Sequence, residues 1–176
     1  HCRNAPSAAS SIPCSRAARA RWSICVAVVN SARSNSPAAK RRAAQLNEHG
    51  RLARKYGMKM LVHNHTVEFE KLTDSPRTLF DVLVSETDPA LVTMQLDLGW
   101  AHIAGVDPVA LFKAHPGRFE LWHVKDVFGL KTVSPSLGPN ARVSSMAIVP
   151  VGTGHIDFKP AFAHASLAGL KHFVIE

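Results

Sequence analysis

Residues 95–126 read QLDLGWAHIAGVDPVALFKAHPGRFELWHVKD: an apolar run reaching Asp97, a helix-length segment, and a second apolar run reaching His123, Lys125 and Asp126. Asp107 and Pro108 form an N-cap pair for the middle segment, and Pro116 with Gly117 closes it. LVTMQLDLGW (91–100) therefore reads as a strand, DPVALFKAHPGR (107–118) as a helix and FELWHVKD (119–126) as the next strand. Strand, helix and strand in immediate succession make a parallel crossover unit.

The same alternation extends both ways. Upstream, AAQLNEHGRLARKYG (43–57) reads as a helix, MKMLVHN (58–64) as a strand, and DSPRTLFDVLVSE (74–86) as a helix capped by Asp74 or Ser75 with Pro76 near its first turn. Downstream, KTVSPSLGPNARVSS (131–145) is loop by composition, DFKPAFAHASLAGL (157–170) is a helix ending near Gly169, and KHFVIE (171–176) is a fourth strand. Alternating strands and helices argue a parallel sheet covered by helices. A (β/α)8 barrel averages about 31 residues per unit, so four strands with their three intervening helices amount to about half a TIM barrel.

Composition separates this body from what precedes it. Residues 1–47 carry Arg3, Arg16, Arg19, Arg21, Arg33, Lys40, Arg41 and Arg42 with no acid, so the whole net charge of +8 lies there and the remainder is formally neutral. A neutral body gives no electrostatic reason to expect nucleic acid or a membrane surface as partner. Residues 1–42 read as a basic leader outside the fold, disordered or not native sequence, and residues 43–176 as the domain. The leader's apolar run WSICVAVV is far short of the roughly 20 residues that span a bilayer, and the reading expects a cytoplasmic protein. Cys2, Cys14 and Cys25 all lie in the leader, which excludes a disulfide framework or thiolate metal site from the body.

In barrels of this kind the chemistry gathers at the C-terminal strand ends. The first strand runs into LVHNHTVEFE (61–70) with His63, His65, Glu68 and Glu70; the second delivers Asp97; the third delivers His123, Lys125 and Asp126; the fourth stops on Glu176. Taken singly, each is an ordinary helix cap, loop residue or satisfied histidine. Taken together they form an oxygen-rich set with imidazole, suited to one divalent ion, Mn²⁺, Mg²⁺, Co²⁺ or Zn²⁺. Trp100 and Trp122 are open to barrel packing or sugar stacking, and Lys125 to a substrate oxyanion or a pair with Asp126. VGTG (151–154) lacks the Lys and Ser/Thr of a P-loop and reads as a turn.

HNHTVEF, the 95–126 stretch, VGTGHIDFKPAF and KHFVIE resemble segments of the xylose-isomerase-like TIM barrels of the sugar phosphate isomerase/epimerase group. The resemblance covers about residues 43–176 and implies barrel strands five to eight. It implies metal ligands Glu68, Asp97, His123 and Glu176, with His63, His65 and Glu70 close enough in sequence to compete for the Glu68 place, and Glu68 and Glu176 as the catalytic proton-transfer pair. His63, His65, Trp100, Lys125 and Asp126 are then the substrate-side candidates. Related ketose epimerases carry a substrate-binding His where this chain has Trp100, a departure that bears on the substrate.

These residues give three expectations. The first is a divalent-metal sugar, sugar phosphate or polyol isomerase/epimerase that moves a proton through a metal-bound enediolate. The second is a keto-sugar or cyclitol lyase or dehydratase on the same site. The third, from the missing first half of the barrel, is an inactive fragment or a homo-oligomer that buries its open edges. The expected partner is a small carbohydrate.

Overall fold

The computed structural model describes residues 34–129 and 139–176. Most of the expected basic leader, including WSICVAVV, and part of the expected 131–145 loop lie outside the described residues. Among the described residues no helix is long and apolar enough to cross a membrane.

Helix α1 spans Ser36–Lys55, seven residues earlier than the expected start at Ala43. Asn35 supplies the cap, its side chain accepting from the Ala38 N–H at 3.0 Å, and Pro37 occupies the first turn. Ala39, Ala43, Leu46 and Gly50 form the buried stripe. Gly50 is needed for contact, because a Cβ there would lie 2.8 Å from Leu91 Cβ and 2.9 Å from Leu91 O.

Strand β1 (Met60–His63) follows, then a 3-10 turn at Val67–Phe69 and helix α2 (Leu79–Glu86). The expected cap of α2 at Asp74 or Ser75 is corrected to Thr78, which forms a capping box with Asp81. Asp74 serves the other helix instead, its Oδ1 accepting from the Ser36 N–H and hydroxyl, each at 2.8 Å.

Strand β2 (Val92–Asp97) is buried at every position. The expected strand ran on through Trp100, but the chain enters helix α3 (Leu98–Ala104) directly after Asp97. Helix α4 (Pro108–Ala114) has the anticipated Asp107 cap, and strand β3 is Leu121–Val124. The 131–145 segment is not wholly loop. Strand β4 (Asp126–Phe128) pairs antiparallel with β5 (Ala147–Val149), and helix α5 (Pro139–Ser144) lies between them. Six residues rich in Pro, Asn and Ser carry no helical periodicity to read. The last expected helix is two, α6 (Lys159–Ala163) and α7 (Ala165–Ala168), broken at His164 and closed by Gly169 at φ 80°. Strand β6 is His172–Ile175.

The main sheet has four parallel strands in the order β1-β2-β3-β6, as expected of half a barrel. Register divides its two faces. Leu96, Trp122 and Phe173 share a row, and this row meets the helices. Trp122, fully buried, stacks on Phe112 at 5.0 Å and meets the edge of Phe162 at 5.2 Å. Trp122 is therefore packing. His63 aligns with Gln95, and Asp97 with His123. Alternation places these four on the opposite face, at the C-terminal ends of their strands.

Candidate metal centre

Asp97 is the pivot. It ends β2 and caps α3, its Oδ1 accepting from the Trp100 N–H at 2.9 Å. Its own N–H donates to Asn64 Oδ1 at 2.9 Å, which ties it to the loop after β1. Among the described residues its other oxygen, Oδ2, is buried without a hydrogen-bond donor. Three cationic or imidazole nitrogens surround that oxygen: His123 Nδ1 at 3.2 Å, His63 Nε2 at 3.6 Å and Lys125 Nζ at 3.6 Å. The close approach and the missing hydrogen bonds are compatible, because distance alone does not align a donor with a lone pair. A buried carboxylate oxygen left without a donor costs about 1–3 kcal/mol or more.

His63, Asp97 and His123 each offer one ligand atom, and these atoms lie within 4.8 Å of one another. Two imidazoles and a carboxylate suit a first-row divalent ion, and the donorless Asp97 Oδ2 is where such a charge is wanted. The residues present thus fit the expected ion. Burial lowers the His63 pKa, partly offset by the Asp97 charge and the 3.1 Å contact with Gln95 Oε1. A neutral imidazole is the ligating form.

Glu176 sits at the β6 end of the row. Its Oε2 lies 2.8 Å from His123 Nε2 and 2.9 Å from Lys125 Nζ. The Lys125 contact, more than the opposing effect of desolvation, holds its carboxyl below the usual range. Trp100 and His65 complete the surroundings. The Lys125 ammonium lies 5.7 Å from the Trp100 ring centre, and the His65 ring meets Trp100 at 5.3 Å and His63 at 5.0 Å. Burial lowers the His65 pKa, with His63 the next cause.

Two expected site residues are placed elsewhere. Glu68 is buried at 2% exposure in the 3-10 turn, where its Oε2 accepts the His65 N–H at 2.7 Å. Burial raises its pKa against that hydrogen bond, and the charges that act on it are those of His65 and Glu70. His63, and not Glu68, offers a ligand atom within 4.8 Å of those of Asp97 and His123. His63 stands at a strand end, as do Asp97 and His123, whereas Glu68 lies five residues beyond; register was the signal that could have found it.

Asp126 is likewise a brace. Its carboxylate accepts the N–H groups of Val127 at 2.9 Å, Gly152 at 2.9 Å, Gly154 at 3.0 Å and Ile156 at 3.2 Å. Burial works against its ionisation, but these four donors hold its pKa below the usual range. Lys125 accordingly pairs with Glu176 and Asp97, not with Asp126. The VGTG turn closes over that carboxylate, and a Cβ at Gly154 would collide with Asp126 Oδ1 and the Val127 carbonyl.

Comparison with known proteins agrees with this architecture. The family model for the xylose isomerase-like TIM barrel matches residues 14–176, and the chain belongs to that family. It is 33% identical over 122 residues to an inosose dehydratase of Clostridium beijerinckii, covering 66% of this chain and 39% of the relative. A crystal structure of a sugar phosphate isomerase/epimerase from Parabacteroides distasonis superposes with a TM-score of 0.64 at 25% identity, over 81% of this chain and 46% of that one. The IOLI protein, solved with a bound zinc atom, shares the fold at a TM-score of 0.60 and 16% identity, over 88% and 54% of the two chains. The chain spans less than half the length of the curated relatives it matches.

Proposed function

We propose that this site removes water from a ketone-bearing cyclitol or sugar, as part of a divalent-metal dehydratase. The observation that carries the reading is the Glu176–Lys125 contact at 2.9 Å, together with the absence of Glu68 from the cluster. Inverting a stereocentre calls for two bases on opposite faces of one carbon, and the expected second base, Glu68, is turned away. Elimination calls for one base and one acid close together. The relatives named inosose dehydratase, at 29–33% identity, support the same choice over the isomerase/epimerase expectation.

His63, Asp97 and His123 would hold the ion, with Glu176 beside them. A bound divalent ion supplies a Lewis acid that acidifies the C–H next to a ketone. The Glu176 carboxylate takes that proton, and the Lys125 ammonium donates one to the departing β-hydroxyl, which leaves as water. The direct contact between the two groups lets the proton on Glu176 return to Lys125, so the pair ends as it began. Trp100 and His65 wall the site on the α3 side. The partner is a small carbohydrate, and the setting remains the expected cytoplasm.

The test is incubation of the metal-loaded chain with a keto-inositol in deuterated water. The reading predicts a product lighter by one water and absorbing as a conjugated enol ketone. Deuterium uptake without water loss would return the isomerase reading.

A further inference from the structure

We propose that Gln95 is the positioning residue that sets the tautomer of His63, holding the ring proton on Nδ1 and leaving Nε2 open as the metal-ligand atom. The inference rests on the metal reading above and names the group that prepares one of its ligands. Strand β2 is buried throughout, and Gln95 within it is 6% exposed. A buried amide left without a partner costs about 1–3 kcal/mol, a cost that Leu or Met at that place would avoid. Parallel register sets Gln95 beside His63 on one side and Leu121 on the other. Leu121 has no polar side-chain atom. The amide meets the imidazole instead, with Gln95 Oε1 at 3.1 Å from His63 Nδ1.

A carbonyl oxygen only accepts, so Nδ1 carries the hydrogen of that bond. The ligating form of imidazole is neutral and has a single ring proton. Nε2 is therefore left with a lone pair, and it faces Asp97 Oδ2 at 3.6 Å. That separation is longer than a hydrogen bond, and among the described residues Oδ2 has no hydrogen-bond donor. Two lone pairs facing each other with no proton between them make a place for a cation. The opposite amide orientation, with its NH2 toward Nδ1, would put the proton on Nε2 and draw it into a short bond with Asp97 Oδ2. The 3.6 Å gap favours the first arrangement. An outer acceptor that holds the second ring N–H of a metal-binding histidine also fixes the plane of the ring. Here that acceptor comes from the adjacent strand, so the register of β1 on β2 carries the orientation.

The test is nitrogen NMR on the metal-free chain with ¹⁵N-labelled histidine, because protonated and bare ring nitrogens resonate far apart. Comparison with His63→Gln assigns the ring. The wild type should show His63 protonated at Nδ1. Gln95→Met keeps the length of the side chain and removes the acceptor. It should lose that tautomer and bind zinc about 10–100-fold more weakly, read by competition with a chromophoric chelator. Gln95→Glu restores an acceptor and should recover both the tautomer and the affinity. A wild-type His63 protonated at Nε2 overturns the proposal, whether or not a variant folds. So does a folded Gln95→Met that keeps either the wild-type tautomer or the wild-type zinc affinity. A wild type with the Nδ1 proton that binds no zinc overturns the metal reading itself, so the two failures are distinct.

Discussion

Asp97→Asn and Asp97→Ala divide the two jobs of one carboxylate. The Oδ1 cap on the Trp100 N–H survives in Asn, which caps as well as Asp, and is lost in Ala at about 1 kcal/mol. The Oδ2 position facing His63, His123 and Lys125 loses its charge in both. Breaking a buried pair costs about 3–5 kcal/mol, but Lys125 keeps Glu176 at 2.9 Å, so the Asn variant should lose less than about 3 kcal/mol. Metal affinity should fall by more than about 100-fold in both variants, since removing even an outer supporting group costs about 10–100-fold. Urea unfolding with and without Mn²⁺ or Zn²⁺ reads both effects. At a metal concentration of about 100 Kd the wild type should gain about 2.7 kcal/mol, and neither variant should gain more than about 0.4 kcal/mol. An Asn variant stabilised by metal as the wild type is would refute the assignment of Oδ2. An Asn variant as unstable as the Ala variant would refute the assignment of Oδ1.

Further outcomes follow from the placements above. Glu68→Gln should retain metal binding and, because burial raises the Glu68 pKa, should leave the thermal midpoint at pH 7 unchanged or higher; a loss of metal would restore Glu68 as a ligand. Asp126→Asn leaves amide donors of the 152–156 turn unpaired and should cost about 1–3 kcal/mol with metal affinity unchanged, read by unfolding and by titration. Trp122→Ala, which empties the space against Phe112 and Phe162, should cost about 3–5 kcal/mol in denaturant. Burial holds the folded pKa values of His63 and His65 below the ordinary imidazole value of about 6.5. The unfolded chain therefore takes up their protons first as pH falls, so their stabilisation is full above about pH 6.5 and is lost on acidification. Metal-free unfolding between pH 5 and 7 should show this, with a smaller slope in His63→Gln.

The strands and most helices were legible in the sequence because apolar runs and capping pairs are local signals. Asp107 with Pro108 marked α4, and Gly169 marked the end of α7. Legibility failed where a signal was short or came from a distant partner. Asn35 starts α1 inside a stretch that composition assigned to a leader, and Asp74 looked like the cap of the helix that follows it while it binds Ser36. The end of β2 was misplaced because LGW is as apolar as the strand, and only the dual role of Asp97 turns the chain there.

The site was legible in the same measure. Asp97, His123 and Glu176 are strand-end residues, and the structure brings them together with Lys125. Glu68 and Asp126 carry the right chemistry at nearly the right positions, yet a 3-10 turn redirects one and four amide donors claim the other. Neither event has a local sequence signature. The parallel register of β1 against β2, which puts His63 next to Gln95, is what brings His63 to Asp97 and His123.

The central claim is that His63, Asp97 and His123 form the metal-holding set. X-ray absorption on the zinc-loaded chain counts the imidazoles directly. The wild type and Glu68→Gln should each show two coordinated imidazoles, and His63→Gln should show one. Two imidazoles remaining in His63→Gln, or a ligand lost in Glu68→Gln, would contradict it.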